Sequence, residues 1–164
     1  MIVPGSLLRL VLDTNVLFAG MVSESSASQR VVDALSARRA ILLLSPPVLA
    51  EYRSVLMHPA SLDRFTHLTP QRIAAALHRL RYVADEYPVI RVRFAFPRDP
   101  RDAMFIELAM AGTATHLVTL DNDLLSLPTS RTDAGKRFRQ RLPALVILPP
   151  SEFLQRHGNV LGFA

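Results

Sequence analysis

A chain of 164 residues, 49% apolar and 20% charged, has the material for one packed domain and not the composition of a disordered one. Without a single cysteine it has no disulfide framework, no thiolate zinc site and no cysteine nucleophile. Nineteen basic residues against fourteen acidic ones give +5, a balance that favours a polyanionic partner such as nucleic acid. Lys136 is the only lysine, so the basic set is almost entirely arginine, the better fork for phosphate. A GC-rich coding sequence would produce the same arginine bias by codon usage.

The opening stretch MIVPGSLLRLVLD carries neither a basic run nor a small-residue cleavage site, so no signal peptide is expected. The longest apolar runs, such as Ala40 to Leu44, are too short to span a bilayer. A cytoplasmic protein without membrane association is the expectation. The five histidines (His58, His67, His78, His116, His157) show no HxH or HExxH spacing and read as structural or solvent-exposed.

Taken in chain order, strands alternate with helices. Leu8 to Leu12 reads as a buried strand running into the DTN turn. After a polar loop at 23–28 a helix is predicted over about Ala27 to Arg38, then a second strand at Ile41 to Ser45. Ser45-Pro46-Pro47 supplies an N-cap and a proline start for a helix to about Met57, and Thr69-Pro70 repeats the device before a helix to about Ala84. Val89 to Val92 is the third strand candidate. Asp99-Pro100 opens a helix that ends on Gly112 as its C-cap, and His116 to Thr119 and Leu145 to Leu148 are the fourth and fifth strands. There is no internal repeat. The alternation predicts a single α/β domain over 1–164, a mostly parallel sheet with helices on both faces and its ligand site beyond the carboxyl ends of the strands.

Acidic residues fall where that rule looks for chemistry. The first strand runs into Asp13 and the fourth into Asp121, with Asp123 two residues on. Taken singly, Asp13 could start an Asx-turn and Asp121 could cap a short helix at about 122–126. On the Ser45 helix Glu51 lies about 40° outside the apolar arc, whereas Ala50, Arg53 and Ser54 take the opposite side. Asp102 shares the azimuth of Phe105, Ile106 and Ala109 in the first turn of its helix, with Asp99 as N-cap before it. Two carboxylates about 4 Å apart repel by about 4 kcal/mol at an effective dielectric of 20, so a pocket of four or five needs protons or a cation. An all-oxygen donor set suits Mg²⁺ or Mn²⁺, and such an ion suits a metal-dependent phosphoryl hydrolase.

The segments VLDTNVLFAG, SPPVLAEYRSVL, DPRDAMFIELA and HLVTLDNDLL, in this order and spacing, closely resemble the PIN-domain nucleases, and most closely the branch assigned as toxins of prokaryotic toxin–antitoxin systems. The late segment LVILPPSEFLQR resembles that branch's closing strand and helix, so the likeness runs from about Leu8 to about Arg156. The resemblance implies a three-layer α/β/α fold with a small central parallel sheet of about five strands, and Mg²⁺- or Mn²⁺-dependent cutting of single-stranded RNA or, in some branches, DNA. It places the family's four acids on Asp13, Glu51, Asp102 and Asp121, with Asp123 as a further acid of the metal set. Asn15 and Thr119 fall on polar residues that position acids or water, and Asp99 on the DP start of the helix. It also implies a protein antitoxin and a homodimer. Two positions depart from the branch: Ala103 stands where an additional Asp is common, and Leu120 where Gly is common and where it would narrow the approach to Asp121.

Other strand-end-acid enzymes fit poorly. A dehalogenase-type phosphatase needs an acid where Asn15 stands, and neither that class nor a receiver domain finds its lysine, since Lys136 lies in an arginine-rich helical stretch rather than after a strand. Gly135-Lys136 lacks the first glycine and the Ser/Thr of a P-loop, and no GxSxG is present. The remaining alternatives are a non-catalytic RNA-binding relative, with the acids serving as caps, and a DNA nuclease of the same fold. For substrate contact, Lys136, Arg137 and Arg139 form a basic run, and Arg98 and Arg101 lead into the Asp102 helix. Phe138, inside that run, reads as core.

Overall fold

The computed structural model describes residues 7–24 and 26–163; the first six residues of the opening stretch therefore lie outside it. Five strands form one all-parallel sheet: β1 (Arg9–Leu12), β2 (Ile41–Leu44), β3 (Asp85–Glu86), β4 (His116–Val118) and β5 (Val146–Leu148), in the order β3-β2-β1-β4-β5. Leu10, Val11 and Leu12 of β1 are essentially inaccessible, as are Leu42, Leu43 and Leu44 of β2. This two-sided burial explains why these strands are continuous apolar runs rather than alternating ones. β1 pairs with β2 through Leu10↔Leu42 and with β4 through Leu10↔His116, Val11↔Leu117 and Leu12↔Val118.

Between β1 and β2 run α1 (Thr14–Val22) and α2 (Ala27–Ser36), and between β2 and β3 run α3 (Pro46–Leu56), α4 (Pro59–Arg64) and α5 (Pro70–Val83). The chain then passes back over β1 through a 3₁₀ turn at Pro100–Asp102 and α6 (Ala103–Ala111) to reach β4. α7 (Asn122–Leu125) and α8 (Asp133–Arg141) lead to β5, and α9 (Pro150–His157) closes the fold against α2. Right-handed crossovers put the connections on either side of β1 on opposite faces of the sheet, the doubly wound arrangement. Its switch point lies between β1 and β4, where the two strands that carry Asp13 and Asp121 end side by side.

Local signals place most of these elements. The Ser45, Thr69, Ser26 and Thr132 hydroxyls accept from the backbone N–H three residues on and cap α3, α5, α2 and α8. One expectation is corrected. Val89 to Val92 is not a strand; the third strand is the two-residue β3, paired through Leu43↔Asp85 and Leu44↔Glu86. Proline at 88 has no N–H to extend that ladder; Val89 is 69% exposed, and the segment packs on the core through Ile90, Phe94 and Phe96 without pairing into the sheet. Gly112 is the C-cap of α6, as expected, with φ −93°; the left-handed residue is Thr113, one position on. Glycine is needed at 112 for room, because an added Cβ would lie 2.6 Å from Leu43 Cδ1.

At the amino ends of the strands His116 is buried, with its Nδ1 2.8 Å from Thr115 Oγ1 and its Nε2 3.0 Å from His157 Nε2 on α9. Both histidines are structural, as their scattered spacing suggests. No described helix is long and apolar enough to cross a membrane.

Candidate metal centre

Asp13 ends β1 and occupies the N-cap position of α1, yet its carboxylate does not cap that helix. It turns to Thr119 instead, whose Oγ1 donates to Asp13 Oδ2 at 2.6 Å and accepts the Asp121 N–H at 2.9 Å. Thr119 is fully buried and Asp13 nearly so. The threonine thus joins Asp13 and the backbone of Asp121 through one hydroxyl. Asn15 does the same across the strand ends, its Oδ1 accepting the Leu120 N–H at 3.2 Å.

Asp13, Asp102 and Asp121 offer one carboxylate oxygen each within 4.8 Å of one another. Asp102 comes from the 3₁₀ turn before α6 and leaves that helix uncapped. Asp121 joins the group while capping α7, its Oδ1 accepting the Asp123 N–H, so the cap does not take it away from the other two acids. Asp99 caps the 3₁₀ turn through the Arg101 N–H and also lines the cavity of about 340 Å³ in front of the trio. Thr14, Asn15 and Phe18 of α1 line the same cavity, with Val55 and Ser61 opposite the acids. Leu120, 47% exposed, is not part of this lining.

The electrostatics are those of crowded carboxylates. Burial pushes the Asp13 carboxyl above its usual range, while the Thr119 hydroxyl and the Thr14 and Asn15 N–H groups pull against that and the Asp121 charge adds to it. Asp102 is pushed up to about 8, first by burial, then by sharing a hydrogen bond with Asp121, then by the charges of Asp13, Asp99 and Asp121. Three oxygens at this spacing, two of them on acids that resist ionising alone, are matched by a hard divalent cation. The donor set fits Mg²⁺ or Mn²⁺ and offers nothing to a soft metal.

Two expected metal acids stand apart from the trio. Glu51, on α3, has its Oε1 3.6 Å from Arg101 Nη2. Asp123, on α7, has its Oδ1 2.7 Å from Arg98 Nε and faces the neighbouring cavity that Arg137 also lines. Both arginines belong to the segment that carries Asp99 and Asp102, and the ion pairs tie that segment to α3 and α7. Of the basic run, Lys136 is exposed, Arg137 Nη2 donates to Ala95 O, and Arg139 Nη1 donates to the carbonyls of Pro128 and Ser130. Phe138 is core. The residue that sequence reasoning missed is Thr14: its Oγ1 is buried at the cavity without a hydrogen-bond partner. Its place inside the DTN turn was the available signal.

A model of the PIN domain matches residues 9–123. The chain belongs to the PIN domain family. The match runs from β1 into α7 and includes every acid named above; the closing strand and helix lie beyond it. PIN domains are generally metal-dependent nucleases, and the acidic trio is the part of this PIN domain that such chemistry requires. No curated protein and no solved structure gives a significant match to the chain.

Proposed function

We propose that this PIN domain is a metal-dependent endoribonuclease that hydrolyses phosphodiester bonds of single-stranded RNA, acting as the toxin of a toxin–antitoxin pair. The observation that carries the nuclease reading is the convergence of Asp13, Asp102 and Asp121 at the switch point of the sheet. These three would hold the Mg²⁺ or Mn²⁺, with Glu51 and Asp123 as the outer acids of the set. A bound divalent ion supplies a water of lowered pKa and polarises a phosphoryl oxygen.

The chain's own residues do the rest. Thr119 holds Asp13 in place through its hydroxyl. Asp102 completes the trio from the turn before α6, and as a ligand its carboxyl would be ionised. Arg98, Arg101, Lys136, Arg137 and Arg139 provide positive charge toward which a phosphate backbone is drawn. Attack by water leaves 5′-phosphate and 3′-hydroxyl ends, with no protein nucleophile and no 2′-hydroxyl attack. The toxin role, a protein antitoxin covering the acidic cavity, a homodimer and a cytoplasmic setting rest on the likeness to the toxin branch.

Cleavage of defined RNA and DNA oligonucleotides with Mn²⁺, Mg²⁺ or EDTA, beside Asp13→Asn, tests the reading. RNA is cut with either ion and not with EDTA, and the variant, folded as the parent is, loses at least about a hundredfold in rate, as removal of a group central to transition-state charge does. Cyclic-phosphate products would overturn the hydrolytic mechanism. Preferential cutting of DNA would select the DNA nuclease, and binding without cutting the non-catalytic relative.

A further inference from the structure

Among the described residues only two buried side-chain polar atoms lack a partner, Arg137 Nε and Thr14 Oγ1. The arginine makes its hydrogen bond through Nη2, whereas the threonine hydroxyl makes none. Thr14 is 6% exposed and lines the cavity in front of the acidic trio. A buried hydroxyl left unpaired costs stability, and such a group persists where a ligand completes it.

Donor chemistry identifies the ligand. Around this cavity Asp13, Asp99, Asp102 and Asp121 are acceptors once ionised. The Ser61 hydroxyl has its proton committed to Val55 O at 3.1 Å. Asn15 has given its Oδ1 to Leu120 N–H, which leaves its amide NH₂. The uncommitted donors of the lining are therefore the Thr14 hydroxyl and the Asn15 amide. They stand side by side in the first turn of α1, a nine-residue helix whose N-terminal dipole also favours an anion.

We propose that Thr14 binds the substrate strand directly, its hydroxyl donating to a non-bridging oxygen of the phosphate presented to the acidic trio. This inference rests on the nuclease reading for the identity of the anion, while the unpartnered hydroxyl stands without it. Thr14 is thus a second, neutral contact to a phosphate whose charge the carboxylates alone would repel.

Thr14→Val keeps the branched shape and removes the donor; Thr14→Ser keeps the donor. Four quantities are read on the full chain: thermal midpoint of the metal-free protein, Mn²⁺ affinity, affinity for a single-stranded RNA oligonucleotide, and cleavage rate. Thr14→Val is expected to melt at or above the parent's midpoint, because it removes an unpaired polar atom, and to bind Mn²⁺ as the parent does. It should lose about ten- to hundredfold in cleavage and oligonucleotide affinity taken together, the size of a hydrogen bond to a charged group. Thr14→Ser stays within a few fold of the parent. Replacing the non-bridging oxygens in turn by sulfur in the parent should reproduce part of the loss for one stereoisomer, and that stereoisomer should be insensitive to Thr14→Val.

Undiminished binding and cleavage by Thr14→Val would overturn the proposal. So would a lowered midpoint in Thr14→Val, which would make the hydroxyl structural, or a weakened Mn²⁺ affinity, which would move it to the metal. A parent that binds the oligonucleotide without cutting it would sink the nuclease reading alone, and the affinity of Thr14→Val then still decides the contact. A parent that neither binds nor cuts would sink both.

Discussion

Asp102 has the most strongly perturbed carboxyl of the site, and its perturbation is a statement about stability. In the metal-free protein it keeps a proton up to about pH 8, whereas the unfolded chain releases it near 3.8. The folded state therefore binds more protons across that interval, and stability falls as pH rises through it. His116 acts with the opposite sign: lowered to about 4 by burial, then by His157 and Arg156, it makes stability rise between about 4 and 6.5. The interval from about pH 7 to 8.5 isolates the carboxylate. There the urea midpoint of the metal-free protein is expected to decline, and the decline should shrink in Asp102→Asn and with millimolar Mn²⁺. A flat metal-free profile would mean the carboxylates are not crowded. The convergence of Asp13, Asp102 and Asp121 was legible in the sequence because strand ends and helix starts share one edge of a parallel sheet. The partners of Glu51 and Asp123 were not, because Arg101 and Arg98 reach them across elements that only the fold brings together.

Among the elements, most with a boundary signal were legible, although α4, which opens on His58-Pro59, went unread. Ser45-Pro46 marks the start of α3 with a cap and a proline, and the structure begins the helix there. α1 has no such stripe: TNVLFAGMV is apolar on all sides, so no 3.6-residue pattern separates it from a loop or a buried strand. β3 failed for the opposite reason, since Asp85 and Glu86 are charged and exposed and pair only through their backbone. Gly135 in α8 shows how tertiary contact overrides intrinsic preference. Alanine is the better helix former by about 1 kcal/mol, but its Cβ at 135 would lie 2.3 Å from the Ser130 carbonyl oxygen. Gly135→Ala is therefore expected to destabilise by about 1–3 kcal/mol in denaturant titration, as forced overpacking does. A stabilised variant would show that α8 and the Ser130 turn do not touch as described.

Across the whole molecule the net charge of +5 resolves into unlike regions. Four aspartates face one cavity, and two further acids beside it are matched by Arg98 and Arg101. The unmatched negative charge is thus gathered at one cavity, with two ion-paired arginines on the segment beside it. Under the proposed nuclease reading, a divalent cation at the trio would offset the repulsion between these carboxylates and a phosphate. The central place of β1 adds a mechanical consequence. Its amides are bonded on both sides, and the Asp13 N–H itself bonds Val118 O at 2.9 Å. Asp102 instead rides a 3₁₀ turn at the end of a stretch, 87–99, without regular structure. Native-state hydrogen exchange should find the Val11 to Asp13 amides among the slowest of the chain, opening only with global unfolding, and the Arg101 and Asp102 amides exchanging through smaller openings. The centre would then have one side fixed in the sheet and one on a turn held by two ion pairs, and a cation between them would tie the two together.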